Sequence, residues 1–132
     1  MPATRVRDYT VEAANRTLPL VRRIAEDIVR SWEELSRLSD SMKKFRDGSA
    51  SHDAIGEEMA TIVEKVEAYE LELEHLHVTE HSCAEGIIDF PTHKEGVVLC
   101  WKIGEPTVLH WHTRADNKKR RSVESLPAQF KE

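Results

Sequence analysis

Residues 10–35 read TVEAANRTLPLVRRIAEDIVRSWEEL, and this stretch decides the fold. Its apolar residues fall at Val11, Ala14, Leu18, Val21, Ala25, Ile28, Trp32 and Leu35. Steps of three and four alternate, which places them on one stripe of a helix packed along a neighbour in the manner of a coiled coil. Thr10 suits the N-cap, Tyr9 stands where a hydrophobic staple would, and Glu12 lies near the positive end of the helix. Pro19 interrupts the stripe, because a proline lacks the N–H and its ring clashes with the preceding turn. The reading is a short leading helix over residues 11–18. A long helix then runs from Pro19 to about Phe45, stopped by Asp47, Gly48 and Ser49.

A second stripe follows at once: Ile55, Met59, Ile62, Val66, Tyr69, Leu73 and Leu76, with Ser51 as a suitable N-cap. Two such seams joined by a short polar loop meet as an antiparallel hairpin, each arm about 40 Å long at about 1.5 Å per residue. Beyond His77 the pattern changes. Residues 82–86 read as a loop and residues 87–90 as a short strand ended by Pro91. Residues 96–103 and 107–112 read as two strands, joined by a tight turn at Gly104, Glu105 and Pro106. Val97, Leu99, Trp101 and Ile103 share one face, which should dock on one end of the helices, since an isolated β-hairpin is marginal in water. Cys100 is expected to pack on the helices as well. Trp101 and Trp111 compete for that cover, so one of them is a candidate outward-facing anchor for a partner.

The expected class is therefore α+β, mainly α. A long two-helix hairpin with a short leading helix precedes a small antiparallel β-hairpin or three-stranded sheet at one end. Residues 1–112 would form one domain, and residues 113–132 a polar, partly basic, mobile tail carrying Lys118, Lys119, Arg120 and Arg121.

Several of these pieces resemble a known family. Tyr9-Thr10-Val11-Glu12-Ala13-Ala14-Asn15 and Leu18-Pro19-Leu20-Val21 are similar to the opening of the bacterial family called domain of unknown function 2203. So are Gly86-Ile87-Ile88-Asp89-Phe90-Pro91, Cys100-Trp101, Gly104-Glu105-Pro106 and Trp111-His112. The resemblance runs from Tyr9 to His112 and implies no established activity. The family pattern does not require a histidine at position 110, and the segment from Arg114 onward does not follow it.

Composition narrows the function classes. Of 132 residues, 39% are hydrophobic and 33% charged, a balance that fits an elongated shape with much solvated helix surface. A net charge of -5 argues against nucleic-acid binding through the whole surface. No run approaches the ~18 apolar residues of a membrane span, and the first residues lack the apolar core of a signal peptide. Two cysteines, Cys83 and Cys100, fit a reducing compartment, so a cytoplasmic location is expected.

Seven histidines in so short a chain invite a metal hypothesis. His110 and His112 are two apart on a strand and leave the same face, so they could chelate one divalent transition metal, zinc first. Asp89 could add a carboxylate and His77, at the end of the second helix, could close the site. The other reading is that His110 and His112 are solvent-facing polar residues of a half-exposed strand, since two ligands alone do not define a site. Glu67, Glu70, Glu74 and His77 share a stripe on the second helix that reads as a solvated acidic face. No nucleophile has a base and an orienting group at a recognisable spacing, and Glu105 is the nearest acid or base to the histidine pair. The reading is a small non-catalytic binding protein with a metal at the β-hairpin end. The alternative is a metal-free adaptor using an exposed tryptophan and the helical surface. Ile24, Val29, Leu38, Val63 and Leu71 lie off the seams, which favours a homo-oligomer, a dimer first, or another protein partner.

Overall fold

A computed structural model describes residues 8–82 and 85–132. Helix α1 spans Val11–Met42, and Thr10, in an extended conformation, accepts a hydrogen bond from Ala13 N at 3.1 Å. Helix α2 spans Ala50–His75 and is capped by Ser49, two residues before the cap expected from the sequence. The two pack as the expected antiparallel hairpin. There is no separate leading helix, because α1 runs unbroken through Pro19. An interior proline costs about 3 kcal/mol. Leu18 and Val21, on either side of it, are both buried, and each such burial recovers roughly 1.5–3 kcal/mol. Pro19 itself is exposed, so its ring disturbs no packing.

Five strands follow: β1 (Thr79–Ser82), β2 (Ile87–Pro91), β3 (Val97–Lys102), β4 (His110–Thr113) and β5 (Arg121–Ser122). Each pairs antiparallel with the next, giving a meander in sequence order. The sequence reading missed β1 and β5, which have no apolar alternation because both are sheet edges. Gly86 sits in the β1–β2 turn at φ +67, where a Cβ would come within 2.4 Å of the Ile103 side chain, so the turn needs a glycine on two counts.

Alternation sorts the strands into two faces. Ile88 and Phe90 of β2, Leu99 and Trp101 of β3, and Trp111 of β4 join the core with Leu18, Val21, Ile24, Ile28 and Leu73 of the helices. Ile24, expected to need a partner chain, is thus covered within the monomer. Trp32, expected in the seam, is 42% exposed, since the sheet covers only one end of the hairpin. Trp101 is fully buried. Trp111 is partly buried against the core, its indole N–H donating to Ser122 O and Ser125 Oγ. Neither β-strand tryptophan stands outward as an anchor.

The opposite, outer face carries Asp89, Val98, Cys100, His110 and His112. Cys100 therefore does not pack on the helices. It is buried on the other side, where Arg120 donates to its carbonyl oxygen. The segment from residue 113 onward is not a detached tail. Residues 114–120 connect β4 to β5, and beyond β5 Leu126 and Phe130 enter the core. Lys131 O accepts from Glu12 N at 2.9 Å and so satisfies a free N–H in the first turn of α1. Among the described residues, no helix is long and apolar enough to cross a membrane.

Candidate metal centre

Three ligand groups converge on the outer face. Asp89 projects from β2 and His112 from β4, and they meet across β3, with His112 Nε2 3.0 Å from Asp89 Oδ1. His81 approaches from β1, its Nδ1 3.1 Å from Asp89 Oδ2. The register of β1 against β2 slips between Glu80 and Ser82, and this bulge holds His81. An extra residue in one strand re-aims a side chain, and here it turns His81 toward Asp89. The two imidazoles meet edge to face, with centroids 5.2 Å apart at 90°.

The cluster is largely withdrawn from water: side-chain exposure is 2% for His112, 17% for Asp89 and 20% for His81. All three ligand atoms lie within 4.8 Å of one another, and among the described residues this is the group so placed. A tetrahedral zinc with bonds near 2.0–2.1 Å separates its ligand atoms by about 3.3 Å. Asp89 meets His112 through Oδ1 at 3.0 Å and His81 through Oδ2 at 3.1 Å, distances near that span but reached by different oxygens. Asp89 and His112 also line a cavity of about 200 Å³ together with Thr79, Pro91, Val98, Arg114 and Asn117.

Of the residues expected from the sequence, Asp89 and His112 come together, while His110 and His77 stand apart. His110 shares the outer face with His112, but its Nδ1 lies 3.0 Å from Glu105 Oε2, out of line for a hydrogen bond. His77 is exposed at the C-terminal end of α2, where its φ of 62 places it in the left-handed region that ends a helix. His81 was missed. Its only sequence signal was a polar run, Thr79-Glu80-His81-Ser82, that reads equally as loop.

Beside the cluster, Glu105 anchors the turn after β3. Arg120 grips its carboxylate with two hydrogen bonds, at 2.7 and 3.0 Å, and Lys102 N donates to it at 2.8 Å. Burial works against the charged carboxylate. The Arg120 hydrogen bonds, the Lys102 N–H and the charge of Arg120 outweigh it and hold Glu105 below its ordinary value of 4.5. Cys100 is pushed up to about 11, by burial first and then by the charge of Asp89, so it is a neutral thiol at physiological pH. Because the folded-state pKa of Glu105 is depressed, its stabilising contribution is full above the unfolded value and is lost as pH falls through the folded one. Glu105→Gln should therefore lower stability at pH 7 and flatten the acid-side decline in urea unfolding. An unchanged decline would show that the Glu105–Arg120 pair does not couple to folding.

The site defines an α+β protein with a His–Asp–His group on the outer face of its sheet. The chain belongs to the family described as "Uncharacterized conserved protein (DUF2203)", whose model matches residues 7–123. The match extends past His112, where the resemblance of individual motifs ended, and takes in the segment that crosses the outer face. No curated protein and no solved structure matches the chain.

Proposed function

We propose that this protein binds a divalent transition metal through His81, Asp89 and His112. One observation carries the reading. His112 Nδ1 lies 2.9 Å from the carbonyl oxygen of Thr113. A carbonyl only accepts, so Nδ1 carries the hydrogen, and whenever the ring is neutral it is Nε2 that presents a lone pair. That lone pair points at a carboxylate oxygen 3.0 Å away, in a position almost closed to solvent. A lone pair facing a carboxylate in a poorly solvated place is repelled unless a cation, a metal ion or a proton, binds both groups. A metal-ligating histidine commonly has its second nitrogen bonded to a backbone carbonyl in this way, which fixes the tautomer.

Two imidazoles and one carboxylate suit zinc, and the same donor set suits ferrous iron. Three protein ligands leave one tetrahedral position for a further ligand. Among the described residues none is assigned as a nucleophile or general base, so the proposal is binding rather than catalysis. The test is calorimetric titration of tag-free protein with zinc and, under anaerobic conditions, with ferrous iron. Binding of one ion per chain is expected, lost in His81→Ala, weakened in Asp89→Asn and unaffected in His110→Ala. Unchanged affinity in His81→Ala would overturn the ligand set. No binding by the native chain would mean that a proton on His112 fills the role of the cation.

A further inference from the structure

The cavity beside the cluster is furnished for something other than the metal. Three of its lining residues, Thr79, Arg114 and Asn117, are exposed at its mouth and carry hydrogen-bond donors that no side chain among the described residues engages. Arg114 is held by its backbone, whose N–H donates to Gly96 O at 2.9 Å, while its guanidinium makes no ion pair among the described residues. This contrasts with Arg120, six residues on, whose guanidinium grips Glu105. Apolar cover comes from Pro91 and Val98.

We infer that the cavity takes a small oxyanion, a carboxylate or phosphate group, bound at once to the metal and to Arg114. The inference rests on the metal reading above. Its first support is charge: a divalent cation with one carboxylate ligand leaves a net single positive charge, and Arg114 adds a second. Its next support is donor chemistry, since a guanidinium fork matches two oxygens of a carboxylate or phosphate, and Asn117 and Thr79, which line the same cavity, carry further donors. The last is size. About 200 Å³ is smaller than the roughly 300–1,000 Å³ of pockets for drug-sized ligands, so a small anion fits where a nucleotide does not. An ion held between Asp89 and His112 borders this cavity, because both residues line it. The ligand would then complete the coordination that three protein groups leave open.

The experiment uses the full chain loaded with one equivalent of zinc, with acetate as the probe, and compares the native protein with Arg114→Ala and Arg114→Lys. The backbone bond to Gly96 survives both substitutions, and circular dichroism confirms that each variant is folded. Zinc affinity is measured first and should be the same in all three, since Arg114 is no ligand. Acetate should then bind the zinc-loaded native chain about tenfold more tightly than Arg114→Ala, with Arg114→Lys between them. Without zinc, acetate binding should fall for all three. Tight zinc binding with equal acetate affinity in native and Arg114→Ala protein, or with no acetate binding, would overturn the anion site and leave the metal site standing. Absence of zinc binding would overturn both.

Discussion

Trp101→Ala should cost the protein about 3–5 kcal/mol of unfolding free energy, the range for a large aromatic removed from a packed core. Trp101 is the largest fully buried side chain, with no exposed surface, and it sits in β3, the central strand of the sheet. Its ring joins sheet to helix: the Arg22 guanidinium lies 5.8 Å from the ring centroid, and the same arginine donates to Pro106 O at 2.9 Å. Its indole N–H donates to Glu105 O at 2.9 Å and thereby fixes the turn that Arg120 grips. Truncation removes the packing and leaves that turn without one of its ties. Trp101→Phe keeps most of the apolar area and loses the hydrogen bond, so it should cost less than Trp101→Ala. Urea unfolding followed by far-ultraviolet circular dichroism measures both. A loss under about 1 kcal/mol for Trp101→Ala would contradict its place at the centre of the core.

Zinc should raise the thermal unfolding midpoint substantially, and His112→Ala should erase the rise. A ligand that binds only the folded chain stabilises it by about 4.1 kcal/mol at a free concentration a thousand times its Kd. For a chain of this size that corresponds to an increase of roughly 10–20 °C. The proposed ligands come from β1, β2 and β4, so the unfolded chain cannot present them together and the linkage should be nearly complete. His112 is almost fully buried, and its loss alone could lower stability without metal. The decisive quantity is therefore the zinc-dependent increment, read against the same variant in chelator. His81→Ala, at a more exposed position, should lose the increment with little change in the metal-free midpoint. Lower pH should shrink the increment in the native protein, because protons compete with the metal for the imidazole lone pairs. A full increment in His112→Ala would place any bound metal elsewhere.

The two histidines of the His-x-His pair illustrate how much of the site could be read in advance. Period-two alternation correctly placed His110 and His112 on one face of a strand. It could not say which neighbours each would meet. In register, His110 stands beside Cys100 and close to the Glu105 turn, while His112 stands beside Val98 and reaches Asp89 across β3. Strand pairing made that difference, and pairing is a long-range choice. His81 was harder still, since its direction depends on a bulge formed only when β1 docks on β2. Residues 114–120, whose polarity suggested a free tail, run beside the same face, where Arg114 and Asn117 line the cavity with His112.

What the sequence determined by itself was local and periodic. The three-and-four spacing of Ala14, Leu18, Val21, Ala25 and Ile28 set α1, and the spacing of Val66 and Leu73 set α2 as its antiparallel partner. The alternation of Val97, Leu99, Trp101 and Ile103 set the core face of β3. These outcomes follow from short-range geometry, in which backbone hydrogen bonds fix the period and apolar side chains choose a side. Tertiary structure decided the rest. It carried α1 through Pro19 because the core holds Leu18 and Val21 on both sides of it. It drew Leu126 and Phe130 into a core that their polar surroundings did not announce. It brought His81, Asp89 and His112 from three strands to one point, because that convergence depends on register, bulge and cover, none of which a local pattern encodes.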